Sequence, residues 1–169
     1  MAPNPRRPHL TIENANVRFR NFAGVAGTYN REGDRNFCVF LDPSVVPAMV
    51  QDGWNVKYLK AREEGEEPTP YIQVSVNFKN SPPRVVMITS RGRTTLGENE
   101  VMILDWADIR TVDLIINPYE WEVNGKSGVK AYLKSFFATI NEDELDLKYA
   151  DIPDTAQTAM ATRETGPQD

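Results

Sequence analysis

One stretch, 109–140, limits the fold more than any other: IRTVDLIINPYEWEV, then NGKSG, then VKAYLKSFFATI. It predicts a single long β-hairpin turning at Asn124-Gly125, with a second glycine at Gly128. Asn and Gly accept the positive φ that a tight hairpin turn demands. Side chains alternate along a strand with period two. That alternation places Val129, Ala131, Leu133, Ser135 and Phe137 on one face, and Lys130, Tyr132, Lys134 and Phe136 on the other. Pro118 cannot donate to a ladder, so an edge or a bulge is expected there. A bulge would also account for apolar residues passing from even positions (Leu114, Ile116) to odd ones (Tyr119, Trp121, Val123).

A face carrying cation, aromatic, cation, aromatic suits a groove that tracks a phosphate backbone and stacks unpaired bases. An ordinary exposed strand, its lysines solvated and its tyrosine half-buried, accounts for the same pattern. The rest of the chain has to decide between them.

Several classes fall away on residue content. A single cysteine, Cys38, excludes an intrachain disulfide; within NFCVFL it reads as a small buried residue, consistent with a reducing cytoplasm. A single histidine, His9, removes most histidine-based catalysis and most zinc sites. No glycine-rich phosphate loop of standard spacing occurs, and no cofactor is expected. Asp105, Asp108 and Asp113 match no metal-loop spacing and have no neighbouring histidine or lysine to act as base, which argues against a metal nuclease. No apolar run is long enough to span a bilayer, and no signal peptide is expected at the N-terminus.

The net charge of −5 is unevenly distributed. Residues 1–140 hold 17 basic and 16 acidic side chains, whereas residues 141–169 hold 2 and 8. The body is therefore near neutral, and a binding face for an anionic polymer requires its positive charges to cluster.

The chain divides into an expected disordered basic arm (1–10), a folded body (11–150) and a disordered acidic tail (151–169). In the body, Thr11–Arg20 reads as one strand with Arg18 and Arg20 on a common face. A loop with three glycines follows, interleaving Phe22, Tyr29, Arg31 and Arg35. Asn36–Leu41 is a strand, 42–53 a short helix capped by Asp42 or Ser44 and ended by Gly53, and Trp54–Lys60 a third strand. The acidic loop AREEGEEPTP would repel phosphates and should lie away from any DNA path. Tyr71–Phe78 alternates, with Ile72, Val74, Val76 and Phe78 toward the core and Tyr71, Gln73, Ser75 and Asn77 outward. That outward face, one aromatic with three uncharged polar residues, suits bases and sugars or a covering neighbour equally. Arg84–Ser90 is another strand, and Arg91 and Arg93 around Gly92 make either a phosphate clamp or a solvated turn. A short helix is expected near 98–109 with Val101 and Leu104 inward and Trp106 in the core; one or two helical turns are expected over Asn141–Ala150. About seven strands, one or two short helices and frequent Gly/Pro punctuation indicate a mainly β chain closed or nearly closed into a barrel.

The blocks RFRNFAG, YNREGDRNFCV, DGWNVK, YIQVSVNF and DLIINPYEWEVNGKSGVKAYLKSFFATI, in that order from about Ile12 to Tyr149, resemble a family of phage-encoded single-stranded DNA-binding proteins. The resemblance implies an OB-like β-barrel and a role in phage DNA replication or recombination, in the cytoplasm of a host cell. It implies single-stranded DNA as partner, with phage replication or recombination proteins as further candidates; a homo-oligomer is compatible with it. The tail resembles those by which bacterial single-stranded DNA-binding proteins recruit partners. It departs from them by ending Gly166-Pro167-Gln168-Asp169, with no acidic run closing on a bulky apolar residue.

Site residues follow from strand parity alone. Arg18, Arg20, Arg35, Arg91, Arg93, Lys130 and Lys134 are candidates to neutralise phosphates. Tyr71 and Tyr132 are candidates to stack bases, with Gln73 beside them; Trp121 is a candidate either to stack on a base or to pack in the core. The expected function is non-catalytic, largely sequence-independent binding of single-stranded DNA. The alternative is a β-barrel module that docks a protein partner with the same face.

Overall fold

In the computed structural model of the chain, the residues described are 8–60, 63–79, 81–143, 145, 148, 149 and 152. Among them are nine strands: β1 (Leu10–Ile12), β2 (Asn16–Asn21), β3 (Arg35–Phe40), β4 (Lys57–Leu59), β5 (Thr69–Val76), β6 (Arg84–Thr89), β7 (Gly92–Leu96), β8 (Ile109–Val123) and β9 (Lys126–Ile140). One α-helix, α1 (Val46–Gln51), and two 3-10 segments, Pro43–Val45 and Val101–Asp105, complete the set.

The long hairpin forms as its sequence predicts. β8 and β9 pair antiparallel from Ile109↔Ile140 to Val123↔Lys126. Asn124 and Gly125 take φ of 53° and 78°, the positive values a two-residue primed turn requires. β9 is the axis of the sheet. β8 covers one edge along its length. The other edge is shared by two parallel partners: β5 meets it at Val74↔Ala131 and Ser75↔Tyr132, and β6 from Arg84↔Ser135 to Ile88↔Thr139.

The strand path runs β1-β8-β9-β5-β3-β2, with β4 on β5 and β7 on β6. Both ends of that path come from the first described strands. The single strand expected over Thr11–Arg20 is instead two strands, broken at Asn14, where φ is 50° and the backbone N–H donates to Asp113 Oδ1 (2.8 Å). β1 pairs with β8 and β2 with β3, so a short bend joins the two rims. That join curls the sheet into a half-barrel of OB-like form. The expected arm is shorter than proposed, because Leu10 already pairs with Ile116. Residues 1–7 and 153–169, which carry most of the expected arm and tail, lie outside the described residues, as does much of 144–150.

Alternation fills the interior. Ile72, Val74 and Val76 of β5, Phe37 and Val39 of β3, and Val112, Leu114 and Ile116 of β8 are buried. Phe22, Phe37 and Phe136 meet with ring centres 5.2–5.5 Å apart. Burying side chains of this size stabilises by roughly 1.5–3 kcal/mol each, so these rings anchor the core.

Several expectations are corrected. β9 carries a bulge: Ile115 pairs with Ser135 and Ile116 with Leu133, leaving Lys134 as the extra residue. Parity therefore flips beyond it. Phe136, expected outside, is fully buried; Phe137, expected inside, is half-buried with the Arg84 guanidinium 5.4 Å from its ring centre. No bulge occurs at Pro118, which pairs with Ala131 in unbroken register. It lies past the end of β1, where β8 is an edge, and Tyr119, Trp121 and Val123 continue the outward odd face. Trp106, expected in the core, is 75% exposed, because the 3-10 turn Val101–Asp105 buries Val101 and Leu104 and turns the next side chain out. Gly92–Leu96, expected as a turn, is strand β7; the expected strand Trp54–Lys60 shortens to β4 plus a bridge from Trp54 to Val129.

Candidate nucleic-acid interface

The outward face of the hairpin tip forms one wall of a groove of about 500 Å³. Cross-strand pairing sets Asn117 beside Tyr132, Tyr119 beside Lys130, and Trp121 beside Gly128. Directly paired residues project from the same side of a sheet. Tyr119 and Tyr132 meet edge to face at 6.1 Å, and Lys130 Nζ stands 5.0 Å from the centre of the Tyr132 ring. Glu120 and Glu122, one residue out of phase, leave the opposite side of β8.

Trp121 owes its position to a missing methyl group. A Cβ on Gly128 would lie 2.8 Å from Trp121 Cζ2 and 3.0 Å from Nε1, so the indole lies against bare backbone. Trp121 also lines the groove. With 37% of its surface exposed, Trp121 is held yet accessible.

The floor is polar. β5 brings Gln73 and Ser75, β3 brings Asn36, and Asn55 and Asn77 line the flanks. Lys57 donates from Nζ to Gln73 Oε1 (3.3 Å). Amide side chains both donate and accept, so this floor satisfies either sense of a base edge.

The loop between β2 and β3 forms the far wall and is firmly tethered. The Asp105 carboxylate accepts the N–H groups of Phe22 (2.7 Å) and Ala23 (3.0 Å). Gly33 N–H donates to Gly24 O (2.8 Å), and the Asn30 amide donates to the carbonyls of Val25 (2.8 Å) and Asp34 (3.0 Å). Tyr29 projects from this frame 99% exposed, with Arg31 close by.

Five cations line the groove, Arg31, Arg35, Lys57, Lys79 and Lys130, against one carboxylate, Asp34. Asp34 pairs with Arg31 (3.3 Å) at a largely exposed site. Arg35 is a brace. It donates to Phe22 O (2.7 Å), approaches Glu98 Oε1 at 3.7 Å, and lies 5.6 Å from the Phe78 ring centre. Lys57, Lys79 and Lys130 have no ion-pair partner among the described residues.

Of the candidates named from parity, Arg35, Gln73, Trp121, Lys130 and Tyr132 line this groove. Tyr71 shares its face, four residues along β5 from Ser75, and packs on Phe40 at 6.3 Å. Arg18 lies over Phe40 at 5.9 Å. Arg20 is drawn inward, donating to the carbonyls of Leu104 (2.6 Å) and Ala107 (2.9 Å). Lys134, displaced by the bulge, sits 3.2 Å from His9 Nδ1. Arg91 and Arg93 lie at the β6–β7 turn, beside the C-terminal end of β9 and seven residues from Tyr132, about 23 Å along a strand. There Glu142 accepts the Ser90 N–H and hydroxyl; those bonds, with a smaller contribution from Arg91, hold its carboxyl below the usual range. Burial pushes the Cys38 thiol up, against a smaller opposing effect of Lys57.

Parity did not single out Tyr29, Arg31, Lys57, Lys79 or Tyr119. Lys57 and Tyr119 carried a usable signal, since each occupies the outward phase of its strand. The three aspartates weighed for a metal each accept a hydrogen bond elsewhere: Asp105 from the loop, Asp113 from Asn14, Asp108 from Asn141 (3.4 Å). Among the described residues no three metal-ligating side chains cluster. No described helix is long and apolar enough to cross a membrane.

A family model described as "Putative phage ssDNA-binding domain" matches residues 2–168. Solved structures of the single-stranded DNA-binding protein from bacteriophage Enc34 share the fold. Its complex with ssDNA aligns with a TM-score of 0.52 at 13% identity, covering 80% of this chain and 88% of that one. A C-terminal truncation of the same protein aligns at 0.51 and 13% identity, covering 80% and 87%. No curated protein matches the chain by sequence.

Proposed function

Because the chain belongs to this phage ssDNA-binding domain family, we propose that it is a non-catalytic, largely sequence-independent single-stranded DNA-binding protein that supports phage DNA replication or recombination in the host cytoplasm. The observation that carries the site assignment is the convergence of Trp121, Tyr132, Lys130, Lys57 and Gln73 on one groove with five cations and a single carboxylate. Trp121 and Tyr132 supply flat surfaces for bases, Lys57, Lys79 and Lys130 meet the phosphates, and the amide floor accepts any base edge. Stacking is indifferent to base identity because every base has a π-face. The Enc34 protein, similar in fold, is known in complex with ssDNA, which supports the same ligand class here.

Titration with oligo-dT, followed by tryptophan fluorescence, tests the assignment. Each stacked base is worth about 1–3 kcal/mol on removal of its aromatic. Trp121→Ala and Tyr132→Ala should each weaken binding by about fivefold or more, with the thermal transition of Tyr132→Ala retained. A double variant that binds oligo-dT like the parent removes this groove from the mechanism. Loss of a protein partner with DNA affinity intact would favour a protein-docking role for the same face.

A further inference from the structure

A second aromatic patch lies on the same sheet face, beginning at Tyr71, about 7 Å along β5 from Gln73 of the groove floor (two residues at ~3.3 Å each). Phe40 is its centre. Tyr71 packs against it at 6.3 Å, Phe19 at 6.1 Å, and the Arg18 guanidinium stands 5.9 Å from its ring centre. Phe19 is the informative member. It sits in the irregular part of β2, between Arg18 and Asn21, with φ of +53°, and 60% of its surface is exposed. A bulky non-glycine residue in the left-handed region is strained. Here the strain turns a phenyl ring toward solvent, an arrangement that core packing gives no reason to maintain.

The patch continues the groove. Lys57 and Gln73 line the groove, and Lys57 pairs directly with Tyr71 while Gln73 pairs with Cys38. The residues that carry the face across, Arg18, Cys38, Phe40, Tyr71, Gln73 and Lys57, include two cations and no acid. Beyond Arg18 lies a cleft of about 240 Å³ between β2 and β8, lined by Arg18, Arg20 and Arg110 and again without a carboxylate. One exposed ring, Phe19, beside two half-buried ones and followed by an arginine cleft, fits a polyanion with flat, separable bases.

We propose that Phe19, Phe40 and Arg18 form a second single-stranded DNA subsite, reached by the same strand after it leaves the Trp121–Tyr132 groove. This rests on the groove reading above. Phe19 and Phe40 offer the stacking surface, and Arg18 with Arg110 takes the phosphates that follow.

Anisotropy of labelled oligo-dT of two lengths, about 4 and about 16 nucleotides, the limits of what an OB barrel holds, tests it. Phe19→Gly removes the ring and relaxes the backbone, so the fold should be retained; Arg18→Gln is a second variant that leaves every ring in place. Each should bind the short oligonucleotide within twofold of the parent and the long one about fivefold or more weaker. Arg18→Gln should also reduce the salt slope for the long oligonucleotide by about 0.7. Trp121→Ala should weaken both lengths. Parent-like binding of the long oligonucleotide by Phe19→Gly and Arg18→Gln overturns the subsite, as does an equal loss at both lengths. Parent-like binding by Trp121→Ala at both lengths overturns the groove reading instead, and the other two variants still decide the patch.

Discussion

Gly128 and Trp121 form a pair in which an absent side chain positions a present one. Gly128 is not in the left-handed region, so Gly128→Ala meets no backbone objection, and the loss of unfolded-state entropy alone would stabilise by about 0.4–1 kcal/mol. The added methyl nonetheless lands 2.8 Å from the indole. Gly128→Ala should therefore reduce oligo-dT affinity several-fold and alter the tryptophan emission, with little change in the melting temperature. Parent-like affinity in that variant would show that Trp121 need not lie against the strand. At this scale much of the candidate groove was legible. Lys130, Tyr132 and Gln73 occupy outward phases of strands, so alternation places them on its lining; Trp121 has the same phase, but alternation left it open between core and groove. Alternation does not say where a long side chain ends. Arg20 leaves β2 and delivers its head group to the carbonyls of Leu104 and Ala107, a contact across 84 residues that no local pattern encodes.

Among elements, the loop between β2 and β3 is the one whose order depends on a distant anchor. Asp105 accepts two of its backbone N–H groups from the end of the Val101–Asp105 turn. Hydrogen bonds to a charged group are worth about 1.5–3 kcal/mol. Asp105→Ala should lower stability by about that amount and speed hydrogen exchange at Phe22 and Ala23. Binding should weaken as well, because Tyr29 and Arg31 lose a fixed frame. Unchanged exchange at both amides would refute the tether. The glycines and aromatics of this loop were visible in the sequence, but its anchor was not, since an aspartate after an apolar run reads equally well as a solvated acid. The hairpin's turn, by contrast, was legible at Asn124-Gly125, because Asn-Gly dictates it locally, although β9 begins at Lys126, three residues before the strand expected from Val129. The bulge at Lys134 was hidden: a Ser-Phe-Phe-Ala run has no phase of its own, and the flip that buries Phe136 is decided by the three-ring core it joins.

Over the whole molecule, a chain of net charge −5 presents a groove where cations outnumber acids. Three lysines there lack ion-pair partners among the described residues. Each phosphate neutralised on a single strand contributes about −0.7 to the slope of log affinity against log salt, so the groove alone should give a slope near −2. Titrations at several salt concentrations check it; a slope near zero would mean that the lysines do not meet phosphates. Mainly β architecture was readable from strand count and punctuation. The parallel contacts of β9 with β5 and β6, and the sharing of both rims by β1 and β2, were not, because nothing local specifies which distant edges meet.

The lysines, rings and amides of the groove lie on the outer surface of the curled sheet, with Tyr29 and Lys130 exposed at its margins. With the groove as the proposed binding site, a strand would be laid into this trough sideways and would need no threading through an aperture. Termini would then be irrelevant to loading. A gap within a duplex, or a covalently closed ring, would be bound as readily as a short linear fragment, and the same lateral route would serve release when a complementary strand arrives.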